Sequence, residues 1–357
     1  VRWRHPFVKT AFLLPVLVLA ACRAEAGLAF NFTPTGNAQA DAGFAAAGAR
    51  WSSLFSDDIT VNINAGFSAL GPGILASASS TKALYYYSAI RNALLSDGTS
   101  ANDSTATGHL QPSPALRLEI NRTSNNPNGA NSATPYLDKN GNNNNTIINL
   151  TTSNAKALGL MAGNNAAVDA NITFSSSFLW DFNPGDGITA GSYDFVGVAT
   201  HEIGHAMGFI SGVDVLDYNG SGYPDSDFIY VTPLDLFRYS SLSVANNALD
   251  WTADNRTKFF SLDGGATSLA TFSTGLNYGD GRQASHWKDN LSLGIMDPTA
   301  GYGELLAISA NDITGFDVIG YDLVSMPEPA TFGVIAGVAL LGIGAGGRMR
   351  RRQGAEA

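Results

Sequence analysis

The chain predicts an α+β fold: a mixed, twisted sheet with helices in its N-terminal part and a mostly irregular or helical C-terminal part. Alternating strand and helix patterns run to about residue 210, and turn-rich sequence with few periodic segments follows, without an internal repeat. Between two apolar ends lie about 300 residues, 27–325, enough to bury one large core. This region is expected to form one unit with two lobes, the first to about residue 210 and the second over 211–325.

Taken in order, Ala46–Asp57 suits a short helix, and Ile59-Thr60-Val61-Asn62-Ile63 alternates as a half-buried strand. A second strand is expected over Gly73–Ser79. Thr81–Leu95 reads as the strongest early helix, with Leu84, Tyr87, Ile90, Ala93 and Leu94 on one side. Leu116–Ile120 is expected as a strand, Asn140–Asn145 as an asparagine-rich loop and Thr152–Leu160 as a short helix. Ala170–Phe178 alternates and predicts a strand; Asn171–Phe178 is the candidate for an exposed sheet edge, an interior strand being the other reading. Phe195, Val198, Ala199, Glu202, Ala206 and Phe209 recur at helical spacing, so a helix is expected over about Asp194–Met207. Asp194 or Ser192 would cap its start, and Gly208 offers a positive-φ exit. Beyond it, Thr232–Tyr239 predicts a helical turn. Phe259–Leu262 and Ser268–Phe272 read as strands joined by Asp263-Gly264-Gly265. Ser309–Ile319 reads as a last amphipathic helix with Asp312 near its positive end.

The ends carry different signals. Arg2, Arg4 and Lys9, the apolar run Ala11–Ala21 and the small-x-small Ala24-Glu25-Ala26 form a secretory signal over residues 1–26. Leu19-Ala20-Ala21-Cys22 also reads as a lipoprotein box, which would leave a lipidated cysteine. Cys22 is the only cysteine, so cleavage after Ala26 leaves a protein to which disulfides contribute nothing. At the other end, Met326-Pro327-Glu328-Pro329 precedes an apolar membrane segment, 332–347, and Arg348, Arg350, Arg351 and Arg352, a basic flank that suits a cytoplasmic tail. The two ends hold eight of the 20 basic residues and three of the 30 acidic ones, so 12 against 27 remain, a charge of −15. No sizeable basic face survives, which argues against nucleic-acid binding.

His201-Glu202-Ile203-Gly204-His205 lies on the expected helix, where positions i and i+4 share a face and both imidazoles reach one metal ion. Neutral nitrogen ligands with a carboxylate between them suit a zinc hydrolase, Glu202 taking a proton from the attacking water. Two histidines leave the site incomplete. Ser211, at the short spacing where a third ligand would fall, is a poor one. His5 lies in the leader and His109 in a polar stretch with nothing metal-like around it. His286, in Ser285-His286-Trp287 and ten residues before Met296, is the favoured third ligand, with Asp214 as the alternative. Gly204 inside the helix costs roughly 1 kcal/mol relative to alanine, so a space requirement at that position is expected.

His201-Glu202-Ile203-Gly204-His205 with Gly208-Phe209, a long insertion, His286-Trp287 and then Met296-Asp297-Pro298 resemble the leishmanolysin-type zinc metallopeptidases. The resemblance covers roughly residues 190–322 with specific motifs, and the region before them more loosely. It implies a zincin-like fold, zinc on His201, His205 and His286, Glu202 as general base, and Met296 in a turn beneath the metal. The disulfide-rich character of the eukaryotic members is absent, so their domain layout is not transferred. With no cysteine in any pro-region, a cysteine latency switch is excluded.

The tail, 326–352, is similar to the PEP-CTERM sorting signal of Gram-negative bacteria, with Met326 where valine is commonest. That similarity implies an exosortase-type enzyme and signal peptidase as partners, transient membrane anchoring, and delivery to the cell surface, the extracellular matrix or the medium. A single-span tail anchor is the other reading. Residues 30–56 fit either a short propeptide or the mature fold.

The expected activity is that of a secreted, monomeric zinc endopeptidase cutting protein or peptide substrates. The alternatives are a zinc hydrolase of a non-peptide ester or amide, and a surface or matrix protein with a non-catalytic metal site. Asp214, Asp235 and Asp317 are candidates for orienting the imidazoles, and Tyr302 for an extra donor to the reacting carbonyl. Calcium is a second candidate ion: Asp181, Asp186, Asp217, Asp225 and Asp227 lie in Gly- and Asn-rich loops, though none matches an EF-hand and solvated surface explains them too.

Overall fold

The computed structural model describes residues 27–219 and 222–325. The expected leader and sorting tail, with the membrane segment 332–347, lie outside the described residues. Among those described, no helix is long and apolar enough to cross a membrane.

The chain is mixed α+β with several small sheets. β1 (Ala29–Phe32) leads to α1 (Ala38–Ser52), then β2 (Thr60–Ser68), β3 (Ala76–Ser80), β4 (Lys82–Tyr86), α2 (Tyr87–Asp97) and α3 (Ala101–His109). Next come β5 (Leu118–Ile120), β6 (Tyr136–Asp138), α4 (Asn143–Thr146), β7 (Ile147–Thr151), α5 (Thr152–Ala157), β8 (Ala170–Ser175), β9 (Trp180–Asp181) and β10 (Tyr193–Asp194). α6 (Phe195–Met207) and α7 (Val213–Asn219) precede shorter pieces: β11 (Arg238–Tyr239), α8 (Ser241–Ala245), β12 (Leu249–Asp250), β13 (Lys258–Phe260) and β14 (Ala270–Phe272). α9 (Ala310–Asp317) comes last.

The largest sheet runs β1-β2-β8-β3. Its first three strands are parallel, and β3 closes it antiparallel to β8, with Ala78 opposite Ile172. β8 is therefore an interior strand that ends at Ser175, and the expected edge over Asn171–Phe178 is corrected: β3 is the edge. The helix expected from Thr81 starts only at Tyr87. Residues 82–86 are a strand because β7 pairs with them, Leu84 opposite Asn149, and a partner that distant in sequence overrides local propensity. α1 begins well before Ala46. Its inner face is built from Ala40, Gly43, Ala47 and Gly48 around Phe44 and Trp51, and small residues carry little hydrophobic periodicity. α3 is polar and lies where no element was expected; Ser100 and Asp103 form a capping box at its start. Part of the asparagine loop is likewise helical, as α4.

α1 and α6 pack against each other beside the main sheet. The Trp51 indole donates to Thr200 O at 2.9 Å, and the rings of Phe44, Phe174 and Phe195 meet at 4.3–5.4 Å. Phe55, just past α1, and Phe316, from α9, close on Trp51. β13 and β14 pair antiparallel as expected, and β12 adds to β5 in parallel, so the two halves of the chain interleave in one sheet.

Candidate metal centre

Asp194 caps α6, accepting from Gly197 N at 2.8 Å and, across the fold, from Leu306 N at 3.2 Å. Every residue of α6 is buried except His201 and His205. The helix is thus core on all sides but one, and the i, i+4 histidines are that side. Gly208 takes φ +122° and ends the helix, which turns Phe209 O back to His205 Nδ1 at 2.7 Å. His201 Nδ1 lies 2.7 Å from Ile295 O, and His286 Nδ1 lies 3.2 Å from Gln283 O. A carbonyl accepts only from a protonated nitrogen, so each Nδ1 carries its proton and each Nε2 keeps a free lone pair.

The three Nε2 atoms converge. His205 Nε2 is 3.0 Å from that of His201 and 3.1 Å from that of His286. Burial lowers His201; burial and then the neighbouring His201 push His205 down to about 3; His286 lies well below its ordinary value for the same kind of reason. Three neutral imidazoles with facing lone pairs repel one another, and a shared cation removes that repulsion. The cluster can hold a metal ion, its ligating atoms lying within 4.8 Å of one another, and it is the one such group of histidine and acidic side chains among the described residues. The Glu202 carboxyl, between them, makes no hydrogen bond to the described residues, and Glu202 lines the cleft. Burial alone pushes its carboxyl up to about 8.

His286 reaches the site because three separate segments pin the loop that carries it. His286 O accepts from Ser273 N at 3.0 Å and Lys288 N donates to Thr271 O at 2.8 Å, extending β14. Trp287 N donates to Met296 O at 3.0 Å. Asp214, the alternative ligand, accepts from Ala284 N at 2.6 Å, Ser285 N at 3.2 Å and the Ser285 hydroxyl. It clamps the His286 segment and is not part of the group of three histidines that could hold a metal ion. Beneath the imidazoles lies Met296: a Cβ on Gly204 would come 2.5 Å from its Sδ, which explains a glycine in mid-helix.

The residue that sequence reasoning missed is Asp312. Fully buried, it accepts from Trp287 Nε1 (2.8 Å), Ile295 N (2.8 Å), Met296 N (3.2 Å) and Ser309 N (2.7 Å), tying α9 to both the methionine turn and the His286 segment. Its helix-start position and its bond to Ser309 N belong to its own helix, but the other three donors come from tertiary contacts. Asp317 does not serve the site: it accepts from Ser100 and Asn102 on the α3 side. Asp235 acts one step back, accepting from Ser211, Gly212 and the Trp251 indole beneath the turn after α6. Tyr302 is 62% exposed and stacks on Tyr193, and it is Tyr193 that lines the cleft. Of the calcium candidates, Asp181 serves Thr189 and Asn183, Asp217 holds the amides of Asn277 and Tyr278, and Asp186 and Asp227 are exposed.

The histidines and Glu202 open into a cleft of about 640 Å³, walled on one side by Gly73–Ala78 and on the other by Asp297–Ala300. The register of β3 sets which backbone groups face it. Leu75 O accepts from Ser175 N and Thr81 N donates to Asp169 O, so odd-numbered residues bond inward to β8. The N–H and C=O of Ala76, Ala78 and Ser80 point outward. Comparison with protein-family models, curated proteins and solved structures finds no match.

Proposed function

We propose that the chain is a zinc-dependent endopeptidase of leishmanolysin-like, zincin-type fold, exported and sorted through its tail. One observation carries the reading: three imidazoles offering Nε2 to a common point, with a buried carboxylate beside them, in a cleft edged by a strand whose outer side has no partner strand among the described residues. Three nitrogen ligands with an open position suit zinc. Bound zinc supplies the Lewis acidity that makes water a nucleophile near neutral pH. Glu202 takes the proton of that water and returns it to the nitrogen of the leaving amine. Its burial makes it a strong acceptor, and the positive charge of an ion beside it favours the ionised form that must start the cycle. The carbonyls of Ile295, Phe209 and Gln283 hold the imidazoles in the tautomer that ligates. The outward groups of β3 pair with extended substrate backbone, which favours a polypeptide over an ester or a glycan-linked amide.

The test is metal content and casein cleavage by the purified full chain. Wild type is expected to carry one zinc and cut. Glu202→Gln keeps the zinc and loses about 10²–10⁴ in kcat, and His286→Ala loses both. Zinc-loaded protein that cuts no polypeptide would sink the peptidase reading.

A further inference from the structure

Away from the histidine cleft, the asparagine-rich turn between β6 and β7 closes over two carboxylates that no cationic side chain neutralises. Asp138 and Asp225 are each 3% exposed, and neither joins an ion pair among the described residues. Asp225 accepts from Asn125 Nδ2 (2.9 Å) and Asn142 Nδ2 (3.1 Å) on one oxygen, and from Tyr136 Oη (3.1 Å) and Asn140 Nδ2 (3.5 Å) on the other. Asp138 accepts from Asn144 Nδ2 (2.8 Å), Asn145 Nδ2 (3.2 Å) and the Asn140 amide (3.3 Å). Asn140 therefore touches both carboxylates.

A merely structural turn would satisfy the carboxamide oxygens as well as the nitrogens, and here two are unsatisfied. Asn144 is fully buried and its Oδ1 has no partner; the buried Oδ1 of Asn142 has none either. A half-turn of either carboxamide exchanges nitrogen for oxygen and aims a lone pair where the nitrogen now meets Asp138 or Asp225. Oxygen donors then recur at Asp138, Asn140, Asn142 and Asn144, around Gly141 at φ +76°; Asn140 Oδ1 already accepts from Asn142 N at 2.9 Å and offers its second lone pair. Uncompensated carboxylates with surplus carboxamide oxygens are the donor set of a hard cation. Calcium, with about six to eight oxygens in adaptable geometry, fits an asparagine-rich turn better than magnesium, which demands a near-ideal octahedron.

We propose that Asp138 and Asp225, with the side-chain oxygens of Asn140, Asn142 and Asn144, form a Ca²⁺ site. The ion joins the β6–α4 turn to the segment following α7, linking the two halves of a chain that has no cysteine after residue 22. The site is independent of the histidine cluster.

Thermal unfolding of the full chain with Ca²⁺ or with a chelator selective for it tests the site, together with Tb³⁺ luminescence excited through tyrosine, since Tyr136 stands on Asp225. Calcium at about a hundredfold over its dissociation constant is expected to raise Tm by roughly 5 °C. The rise and the Tb³⁺ emission should be lost in Asp225→Asn and kept in His286→Ala. No rise at about 10 mM Ca²⁺, well above the weakest extracellular calcium modules, overturns the proposal, as does a full rise in Asp225→Asn. Should that variant fail to fold, Asn142→Ala, at a half-buried position, is expected to weaken Ca²⁺ binding about tenfold; unchanged affinity there counts against the site.

Discussion

At the scale of single residues, the weight of the site falls on side chains that never touch a metal. Asp312 gathers four donors from three segments, so replacing it with alanine leaves an indole and three backbone amides without an acceptor. Asp312→Ala is expected to cost about 4 kcal/mol, read as a lower urea midpoint, and Asp312→Asn less because one acceptor oxygen remains. A midpoint unchanged in Asp312→Ala would show that the methionine turn does not depend on it. His201, Glu202 and His205 were legible in sequence because their relation is local to one helix. His286 was legible as a candidate ligand only by elimination, by its place before Met296 and by the resemblance, because nothing local ties it to α6. Asp312 was not, because a carboxylate at a helix start looks the same whether it only caps its own helix or also holds two distant segments.

Elements show the same division. α6 follows from its own residues: an aspartate cap, apolar spacing, a glycine exit. The edge strand does not. Both Gly73–Ser79 and Ala170–Phe178 alternate, and which one lies outermost depends on the order of strands in the sheet, which no single segment encodes. That order assigns the outward backbone to Ala76, Ala78 and Ser80. Ala78→Pro removes one outward amide while leaving the inward ladder to β8 in place, a substitution that an edge strand tolerates. kcat/KM on peptide substrates is expected to fall about tenfold, the worth of one hydrogen bond, with Tm nearly unchanged. Equal activity in wild type and variant would remove β3 from substrate binding.

On the scale of the molecule, charge is unevenly placed. Asp57, Asp97 and Asp317 converge from the loop before β2, the end of α2 and the end of α9. Burial, and after it neighbouring carboxylates, push Asp57 and Asp97 up to about 7 and Asp317 to about 6. Their folded values lie above the unfolded value of about 4. The folded chain therefore binds more protons between about pH 4 and pH 7, and their contribution to stability falls as pH rises through that window. Asp97→Asn relieves the repulsion and is expected to raise Tm over wild type more at about pH 8 than at about pH 5. Comparing variant with wild type cancels the buried histidines, whose lowered values act in the opposite direction. An equal difference at both pH values would mean that neither burial nor the neighbouring carboxylates hold Asp97 above its ordinary value.

What the amino-acid sequence determined alone is whatever is decided within one turn or one helix: the histidine pair and its glutamate, the cap and the exit of α6, the β13–β14 hairpin, and the composition that makes a mixed α+β chain. Tertiary structure alone decided which strand is the edge, that residues 82–86 extend instead of coiling, that Asp214 clamps the His286 segment, and that Asp225, from the segment after α7, meets the asparagine-rich turn that follows Asp138. The reason is physical. Helical spacing and capping act over a few residues of continuous backbone, whereas strand order and buried polar networks are settled by which distant segments meet, and a hydrogen bond between them leaves no local trace in either.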